Sequence, residues 1–459
     1  MQYISTRGSA PTLDFRGALL AGLASDGGLY VPASVPQFSP AEIAGFAGLT
    51  YQELALKIIT PYVSDFASQS ELADMIEKAY GSFRHAAIAP VTQLSHDHFL
   101  LELFHGPTLA FKDFALQLLG HFYEHALRGS DQKSVVLGAT SGDTGSAAIA
   151  GLRGRAGIDI AILYPAGRTS DVQRRQMTTV IDANVHALCV EGTFDDCQDL
   201  VKALFGDAAF RTQVNLLAVN SINWARVMAQ IVYYFYAALS LGAPARRVNF
   251  CVPTGNFGDI YAGYLARAMG LPMGKLIIAS NKNDILARCV ATGEYAMHGV
   301  SPSHSPSMDI EISSNFERLL FDLHGRDGAL MAKRMQDFRS TKSLKLSPAQ
   351  HADFIAIFAG HKVDDAATLD QIKRTHETCG ILIDPHTAVG IAATEAVAVE
   401  GTTVTLATAH PAKFPDAVRA ATGIHAPLPA HLADLYERTE RITPMANNEA
   451  QLKEFLLKL

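Results

Sequence analysis

The chain has 459 residues, a formal net charge of -7 and a sequence pI near 6.2. Its length exceeds the ~250 residues at which a single hydrophobic core usually stops growing, so two or three domains are expected. The acidic balance argues against nucleic acid or an anionic membrane as the main partner, and five scattered cysteines without a C-x-x-C pair argue against a disulfide framework or a zinc ribbon. We therefore expect a cytoplasmic protein that binds no metal, nucleic acid or membrane. We also expect the protein to be a monomer or a weak homo-oligomer.

Residues 1–92 combine helical patterns with turns rich in proline and glycine. Apolar residues recur at helical spacing over 51–63 and 70–79, which predicts two helices. The apolar run 18–24 follows two arginines, as in a signal peptide, but it is short and preceded by Asp14, so we interpret it as the start of a helix. These residues are therefore predicted to form a mainly helical N-terminal region packed on the rest of the protein.

From about residue 95 the chain alternates short β-branched runs with helical patterns, which is typical of a parallel α/β sheet. Seven segments are predicted to be strands: 134–139, 158–164, 185–190, 216–220, 248–252, 276–279 and 403–407. The apolar stretch 227–243 contains Gln230 and Ser240 and is too short to span a bilayer, so it is predicted to be a buried helix.

Within this pattern one lysine has an unusual position. Gly106 and Pro107 end the preceding segment and Thr108 is a suitable N-cap, so a helix is predicted to begin just before Lys112. On that helix Lys112 shares an apolar stripe with Ala115, Leu116, Leu119 and Phe122, while a polar stripe contains Asp113, Gln117, His121, Glu124 and Arg128. Lys112 is therefore either a desolvated, reactive amine or a lysine that extends its ammonium to water, and the pattern leaves both interpretations open.

Two glycine-bearing turns follow predicted strands and precede helices, at residues 140–145 (TSGDTG) and 255–259 (GNFGD). Such turns present backbone N–H groups and a helix N-terminus to an anion, although glycines are also common there for backbone reasons alone. Neither turn matches a Walker loop or a G-x-G-x-x-G fingerprint, so nucleotide binding is not indicated. Hydroxyls and arginines supply further candidate anion ligands: Thr140, Ser141, Thr144, Arg168, Arg174, Arg175 and Arg226.

Other signals favour structural roles or stay open. His121 and His125 lack the glutamate and third ligand of a metal site and are interpreted as surface residues. Asp384 and Pro385 are predicted to be the N-cap and first residue of a helix. The serines of the proline-rich segment 301–307 could cap a site or belong to a solvated linker, and the linker is favoured because most such segments have no chemical role. At the end of the last predicted strand, Thr405, Thr408 and His410 occupy the edge at which parallel sheets bind ligands.

Read together, four motifs closely resemble threonine synthase, a pyridoxal-phosphate (PLP) enzyme of the tryptophan-synthase-β fold type: 104–113 (FHGPTLAFKD), 140–145 (TSGDTG), 253–259 (PTGNFGD) and 408–414 (TAHPAKF). Residues 3–8, 221–230 and 313–320 resemble the same family, and the long N-terminal region resembles its bacterial and fungal branch. The first turn has Asp143 where many relatives of this fold type have Asn.

The resemblance implies an α/β protein of PLP fold type II, with two open, mostly parallel sheets and flanking helices. It also implies an N-terminal region at 1–92, a large PLP-binding domain at 93–112 and 216–459, and a small α/β domain at 113–215.

By position, the resemblance implies a Schiff base between PLP and Lys112, with Asp143 near the ring's 3′-oxygen and Thr408 at the ring nitrogen. The cofactor phosphate would lie on the turn formed by Gly255, Asn256, Phe257, Gly258 and Asp259. Anionic groups of the substrate would be held by Thr140, Ser141 and Thr144, with arginines such as Arg168 or Arg226.

The implied reaction converts O-phospho-L-homoserine and water to L-threonine and phosphate by γ-elimination and β-addition of water. The alternatives are a dehydratase, a sulfhydrylase or another lyase of the same fold, and a ligand-binding protein that has lost catalysis.

Overall fold

The computed structural model describes residues 1–130 and 132–459. The strands are β1 (Tyr3–Ser5), β2 (Tyr30–Pro32), β3 (Val91–Gln93), β4 (His98–Glu102), β5 (Ser134–Ala139), β6 (Ile158–Pro165), β7 (Val185–Val190), β8 (Leu216–Ala218), β9 (Val248–Pro253), β10 (Met273–Ser280), β11 (Glu294–Ala296), β12 (Ser343–Lys345), β13 (Phe358–Lys362), β14 (Thr403–Ala407) and β15 (Thr443–Met445). The helices are α1 (Phe15–Ala21), α2 (Pro40–Gly45), α3 (Tyr51–Val63), α4 (Gln69–Tyr80), α5 (Lys112–Ala126), α6 (Asp143–Leu152), α7 (Asp171–Thr178), α8 (Phe194–Gly206), α9 (Ala208–Gln213), α10 (Trp224–Ser240), α11 (Gly258–Ala268), α12 (Ile285–Thr292), α13 (Phe316–Leu323), α14 (Gly328–Thr341), α15 (Pro348–Ile357), α16 (Asp365–Cys379), α17 (Pro385–Val397), α18 (Pro415–Thr422) and α19 (Glu449–Leu456).

Two larger sheets organise these elements. The first has the strand order β13-β10-β9-β14-β4-β3, in which only the β3–β4 pair is antiparallel. The second has the order β15-β7-β6-β5-β8 and is parallel throughout. The prediction of two open, mostly parallel sheets with flanking helices is confirmed.

The predicted strands correspond to observed ones because continuous β-branched runs are buried on both faces of a parallel sheet. The predictions for β5, β7 and β14 match at both ends, and all eight residues of β6 are buried. The largest differences are at β8, which ends at Ala218, and at β10, which begins at Met273.

The N-terminal region is helical and packed, as expected. Thr50 and Ser68 begin α3 and α4 with capping boxes, in which each hydroxyl accepts a backbone N–H bond three residues later. The apolar faces of both helices belong to the same core cluster as α5 and α10. The stretch 227–243 lies largely in the buried helix α10, and in the described parts of the chain no helix has the length and apolar content to cross a membrane.

One feature of the chain path differs from the domain boundaries given above. Residues 216–459 were assigned to the large domain, yet β8 and β15 pair with β5 and β7 in the five-stranded sheet. The chain thus leaves this sheet after β8, completes the six-stranded sheet and returns at β15. Pairing between segments so far apart in sequence has no local signature; otherwise the division into 1–92, 93–112 with 216–459, and 113–215 stays a prediction.

Candidate active site

Lys112 is the first residue of α5 and lies beside the end of β14. Phe111, the N-cap residue, makes no side-chain cap, and its N–H donates to the Thr408 carbonyl over 2.9 Å. The prediction of Thr108 as N-cap is wrong, because its N–H and hydroxyl both donate to the Asp113 carboxylate over 2.8 Å. This turn brings Lys112 and Thr408, 296 positions apart in the sequence, to the same cavity.

The apolar stripe of α5 is confirmed, but the polar stripe is only partly exposed. Asp113 and Gln117 are buried, and Gln117 donates to the Asp113 carboxylate. Burial raises the pKa of Asp113 to about 6. The helical pattern could not reveal this, because α5 packs against α4, α6 and α10 and therefore has more than one buried face.

The Lys112 amine faces a carboxylate instead of water. Its Nζ lies 3.2 Å from Oδ2 of Asp143, whose Oδ1 lies 3.0 Å from the Nζ of Lys413. Burial lowers the pKa of Lys112; Asp143 opposes this shift, whereas Lys413 adds to it. Burial alone would raise the pKa of Asp143, but Lys413 and Lys112 hold it well below its ordinary value. The geometry therefore favours the reactive amine over a lysine extended into water.

Sequence reasoning did not assign a role to Lys413. It follows β14 in a short 3₁₀ turn, is fully buried, and also donates to the Thr108 carbonyl over 2.7 Å. The sequence feature that could have indicated this role is the position of Lys413 between Ala412 and Phe414, because a lysine in an apolar segment needs a buried partner. Lys413 balances the charge of Asp143 independently of the Lys112 amine.

The turn at residues 255–259 connects β9 to α11 and has the features of an anion cradle. Phe257 adopts a left-handed conformation with φ 63°, and no side chain caps the helix. Within the described chain, the backbone N–H groups of residues 255–259 have no hydrogen-bond acceptor. Gly255 is required sterically, because a Cβ there would lie 2.8 Å from the Ser307 carbonyl oxygen. Free N–H groups at a helix N-terminus bind phosphate well.

Two side chains of this turn have other roles. Asn256 is exposed, whereas the Phe257 ring is buried against Phe316. The Asp259 carboxylate accepts hydrogen bonds from the Tyr233 and Tyr234 hydroxyls, and burial raises its pKa to about 6. Because the Phe257 and Asp259 side chains are occupied, contact of this turn with an anion is expected through the backbone and the Asn256 side chain, which lines the cavity.

The turn at residues 140–145 is stabilised by hydrogen bonds to the side chain of Thr140. Thr140 Oγ1 accepts the N–H bonds of Gly142 and Gly145, each 2.9 Å long. The N–H groups of Ser141, Asp143 and Thr144 have no acceptor in the part of the chain that is described. Asp143 and Thr144 line the cavity with Lys112, and Thr140 and Ser141 belong to the same turn but are not among the lining residues.

The segment interpreted as a linker contributes to the site, so that interpretation is wrong. The Ser307 hydroxyl donates to Asp143 over 3.0 Å, and its backbone N–H donates to His386 Nε2 over 3.2 Å. Since this Nε2 accepts, the proton of the ring lies on Nδ1, which donates to Asp384 over 2.6 Å. Asp384 is also the predicted N-cap of α17. Serine–proline composition did not predict these contacts, which join residues far apart in the chain.

The structure separates the candidate arginines. Arg226 lines the cavity, is 3% exposed and has an Nε atom without a partner in the described residues. Its Nη1 donates to the Val219 carbonyl over 2.7 Å, and burial lowers its pKa to about 10. Arg168 is exposed and does not line the cavity. Arg174 and Arg175 pair with Glu440 instead.

The candidate hydroxyls and histidines also differ in whether they line the cavity. Thr408 lines the cavity, whereas the Thr405 hydroxyl is bound to His98 and Thr394, each at 2.8 Å. His121 is half-buried and contacts Arg155, so it is not a free surface residue. In residues 1–130 and 132–459, no group of three or more His, Cys, Asp or Glu side chains could hold a metal ion.

Three family models match successive parts of the chain: "Threonine synthase N terminus" at residues 2–80, "Pyridoxal-phosphate dependent enzyme" at 87–337 and "Threonine synthase, C-terminal" at 387–456. The chain belongs to the threonine synthase family. It is 53% identical to threonine synthase from Pseudomonas aeruginosa over 99% of this chain and 98% of that protein. PLP-bound threonine synthase from Brucella melitensis has a TM-score of 0.97 at 50% identity, covering 100% of this chain and 99% of that one. Threonine synthase from Escherichia coli has a TM-score of 0.85 at 31% identity, with full coverage of both chains.

The residues of the cavity fit the cofactor of this family. A row of free N–H groups suits its phosphate, the glycine at 255 leaves room beside Ser307, and a lysine of lowered pKa suits its aldehyde. The predictions of the family, of fold type II, of threonine synthase activity and of PLP as the cofactor are confirmed.

Proposed function

We propose that the cavity at Lys112 converts O-phospho-L-homoserine and water to L-threonine and phosphate. When bound, PLP supplies an aldehyde that condenses with amines and a ring that accepts electrons from the substrate. Lys112 would hold this aldehyde, the N–H groups of residues 255–259 would hold the cofactor phosphate, and Asp143 would lie near the 3′-oxygen. Thr408 would contact the ring nitrogen.

The Lys112 amine would move protons at the substrate carbons. Burial lowers its pKa, so that a larger share is neutral near pH 7 and can accept a proton from Cα and then from Cβ. Asp143 orients the amine, and Lys413 keeps Asp143 anionic while the charge of Lys112 changes. A neutral hydroxyl at Thr408, instead of a carboxylate, would leave more of the proton handling to Lys112.

Charge in the cavity supports a substrate with two anions. The main support for this proposal is Arg226, which is a buried guanidinium at the cavity without a carboxylate partner in the described residues. A buried charge needs a counter-ion, which the substrate phosphate or carboxylate would provide. The second anion would bind at the first turn, to the free N–H groups of Ser141 and Thr144 and the nearby hydroxyls, with Thr140 shaping that turn.

Arginine variants and alternative substrates test this proposal. Arg226→Gln should lower kcat/KM for phosphohomoserine by about 100-fold, because removing one charged partner of a buried pair costs a few kcal/mol. Arg168→Gln is the matched control and should keep the wild-type value, since Arg168 is exposed outside the cavity. Borohydride treatment should attach PLP to the peptide containing Lys112. Comparable kcat/KM for serine and phosphohomoserine would favour a dehydratase, and absence of phosphate release would favour a non-catalytic relative.

A further inference from the structure

A second cavity of about 430 Å³ shares none of the residues that line the Lys112 site, and its wall residue Phe316 packs against Phe257 of the 255–259 turn. Its lining residues come mainly from the segment after β1, from β11 and β12, and from α13 and α14, and the cavity is partly open to solvent. Its walls are mainly apolar and include Leu29, Met297, Phe316, Leu320, Met335 and Phe338. Ligand pockets typically have volumes of about 300–1,000 Å³, apolar walls and a few polar groups.

Two guanidinium groups converge on this cavity at Gly27. From the position of a Cβ on Gly27, Arg7 Nη1 is 2.8 Å away and Arg339 Nη2 is 3.9 Å away. Arg7 is already bound by both carboxylate oxygens of Glu317, at 3.0 and 2.8 Å. Within the described residues Arg339 has no hydrogen-bond or ion-pair partner. Glu317 therefore balances the charge of Arg7, and Arg339 is the guanidinium at this cavity that remains available to an anion.

The lining also contains two lysines and one carboxylate. Lys202 and Lys342 are basic, and Glu317 is the one carboxylate among the lining residues. That carboxylate is occupied by Arg7 and by the Thr6 hydroxyl, so it offers little to a ligand's ammonium group. Arg7 pairs with Glu317 and Lys202 pairs with Asp199, so within the described residues the basic lining side chains without an ion-pair partner are Arg339 and Lys342.

We propose that this cavity binds a small amphipathic carboxylic acid that has no amino group. Its apolar chain or ring would replace water against Phe316, Leu320 and Met335, and its carboxylate would pair with Arg339 at the mouth. Zwitterionic amino acids would bind poorly, because the cavity has no free carboxylate for their ammonium group. This proposal does not depend on the reaction catalysed at Lys112.

Three probes separate the apolar and anionic contributions to binding. Octanoate carries both features, 1-octanol has the same chain length without charge, and acetate has the charge without the chain. Titration calorimetry of the holoenzyme should show one octanoate site, with 1-octanol about tenfold weaker because it lacks a charge-assisted hydrogen bond. Acetate should not bind at the same concentrations. Equal binding of octanoate and 1-octanol, or of octanoate and acetate, would overturn the proposal.

Variants on α14 locate the site. Arg339→Gln should weaken octanoate binding about tenfold and leave 1-octanol binding unchanged. Arg334→Gln is the matched control on the same helix, outside the cavity, and should bind octanoate like the wild type. Met335→Trp should fill the cavity and remove both ligands, provided that phosphate release from phosphohomoserine shows an intact fold. Wild-type octanoate affinity in Arg339→Gln, which changes an exposed side chain, would refute the assignment.

Discussion

Replacing Gly255 by alanine tests the contact between the phosphate turn and the 301–307 segment. The new Cβ would lie 2.8 Å from the Ser307 carbonyl oxygen, whereas ordinary contacts begin at 3.4 Å. The Ser307 backbone would have to retreat by about half an ångström, because close-packed interiors leave no room for overlap. That displacement would lengthen the bonds from Ser307 to Asp143 and His386, which are already 3.0 and 3.2 Å long.

The expected cost follows from the bond to the charged carboxylate. A hydrogen bond to a charged group contributes about 1.5–3 kcal/mol, so PLP affinity should fall by about 10- to 100-fold. PLP affinity is measured by titrating the apoprotein with cofactor and following absorbance. Gly45→Ala is the control, because a Cβ at that position would have no atom within 4 Å.

A double variant shows whether the effect passes through Ser307. If it does, Gly255→Ala should cost little more in a Ser307→Ala background, because the bond to Asp143 is already absent there. Wild-type PLP affinity in a folded Gly255→Ala protein would refute the argument, as would full additivity with Ser307→Ala.

Two further predictions concern buried charges. Lys413→Met should raise the pKa of Lys112, because Asp143 would then pair with one lysine and the repulsion from Lys413 would be lost. Capture of PLP by the apoprotein, followed by borohydride fixation, should therefore need a higher pH, and an unchanged pH profile would contradict this. Asp259→Asn should stabilise the apoprotein above pH 6 by up to about 3 kcal/mol and have little effect near pH 4. The pKa of Asp259 is raised from 3.8 to about 6, so the folded form holds the extra proton and stability falls as pH rises through this window. Urea midpoints at pH 4 and pH 8 measure the difference, and equal shifts at both would exclude this explanation.

Most of the fold could be predicted because its signals are local. The strands of a doubly covered sheet are continuous apolar runs, so β5, β7 and β14 were located to the residue. The membership of β15 was not predictable in this way. It has three residues, includes Pro444 and pairs with a strand more than 250 positions earlier. Register between such segments depends on the whole fold rather than on composition.

The site was predictable where chemistry is tied to a motif and not where it depends on long-range contacts. The two turns followed predicted strands, Lys112 lay on the apolar stripe of a predicted helix, and all three matched family motifs. Ser307 and His386 were missed because a serine in a proline-rich segment and a histidine after an N-cap have ordinary local explanations. Arg168 and Arg226 looked equivalent in the sequence, and only burial distinguishes them.

The return of the chain to the five-stranded sheet has a consequence for protein synthesis. β15 and α19 supply Met445, Leu452 and Leu456 to the core of that sheet, and these residues are synthesised after every strand of the six-stranded sheet. The six-stranded sheet has all its strands by Ala407, so it can form while the other sheet still lacks its edge. Until β15 and α19 have emerged from the ribosome, the apolar residues of β7 and α8 that pack against them stay uncovered. Nascent chains stalled after residue 440 should therefore be cleaved by proteases within 134–218 more readily than within the six-stranded sheet.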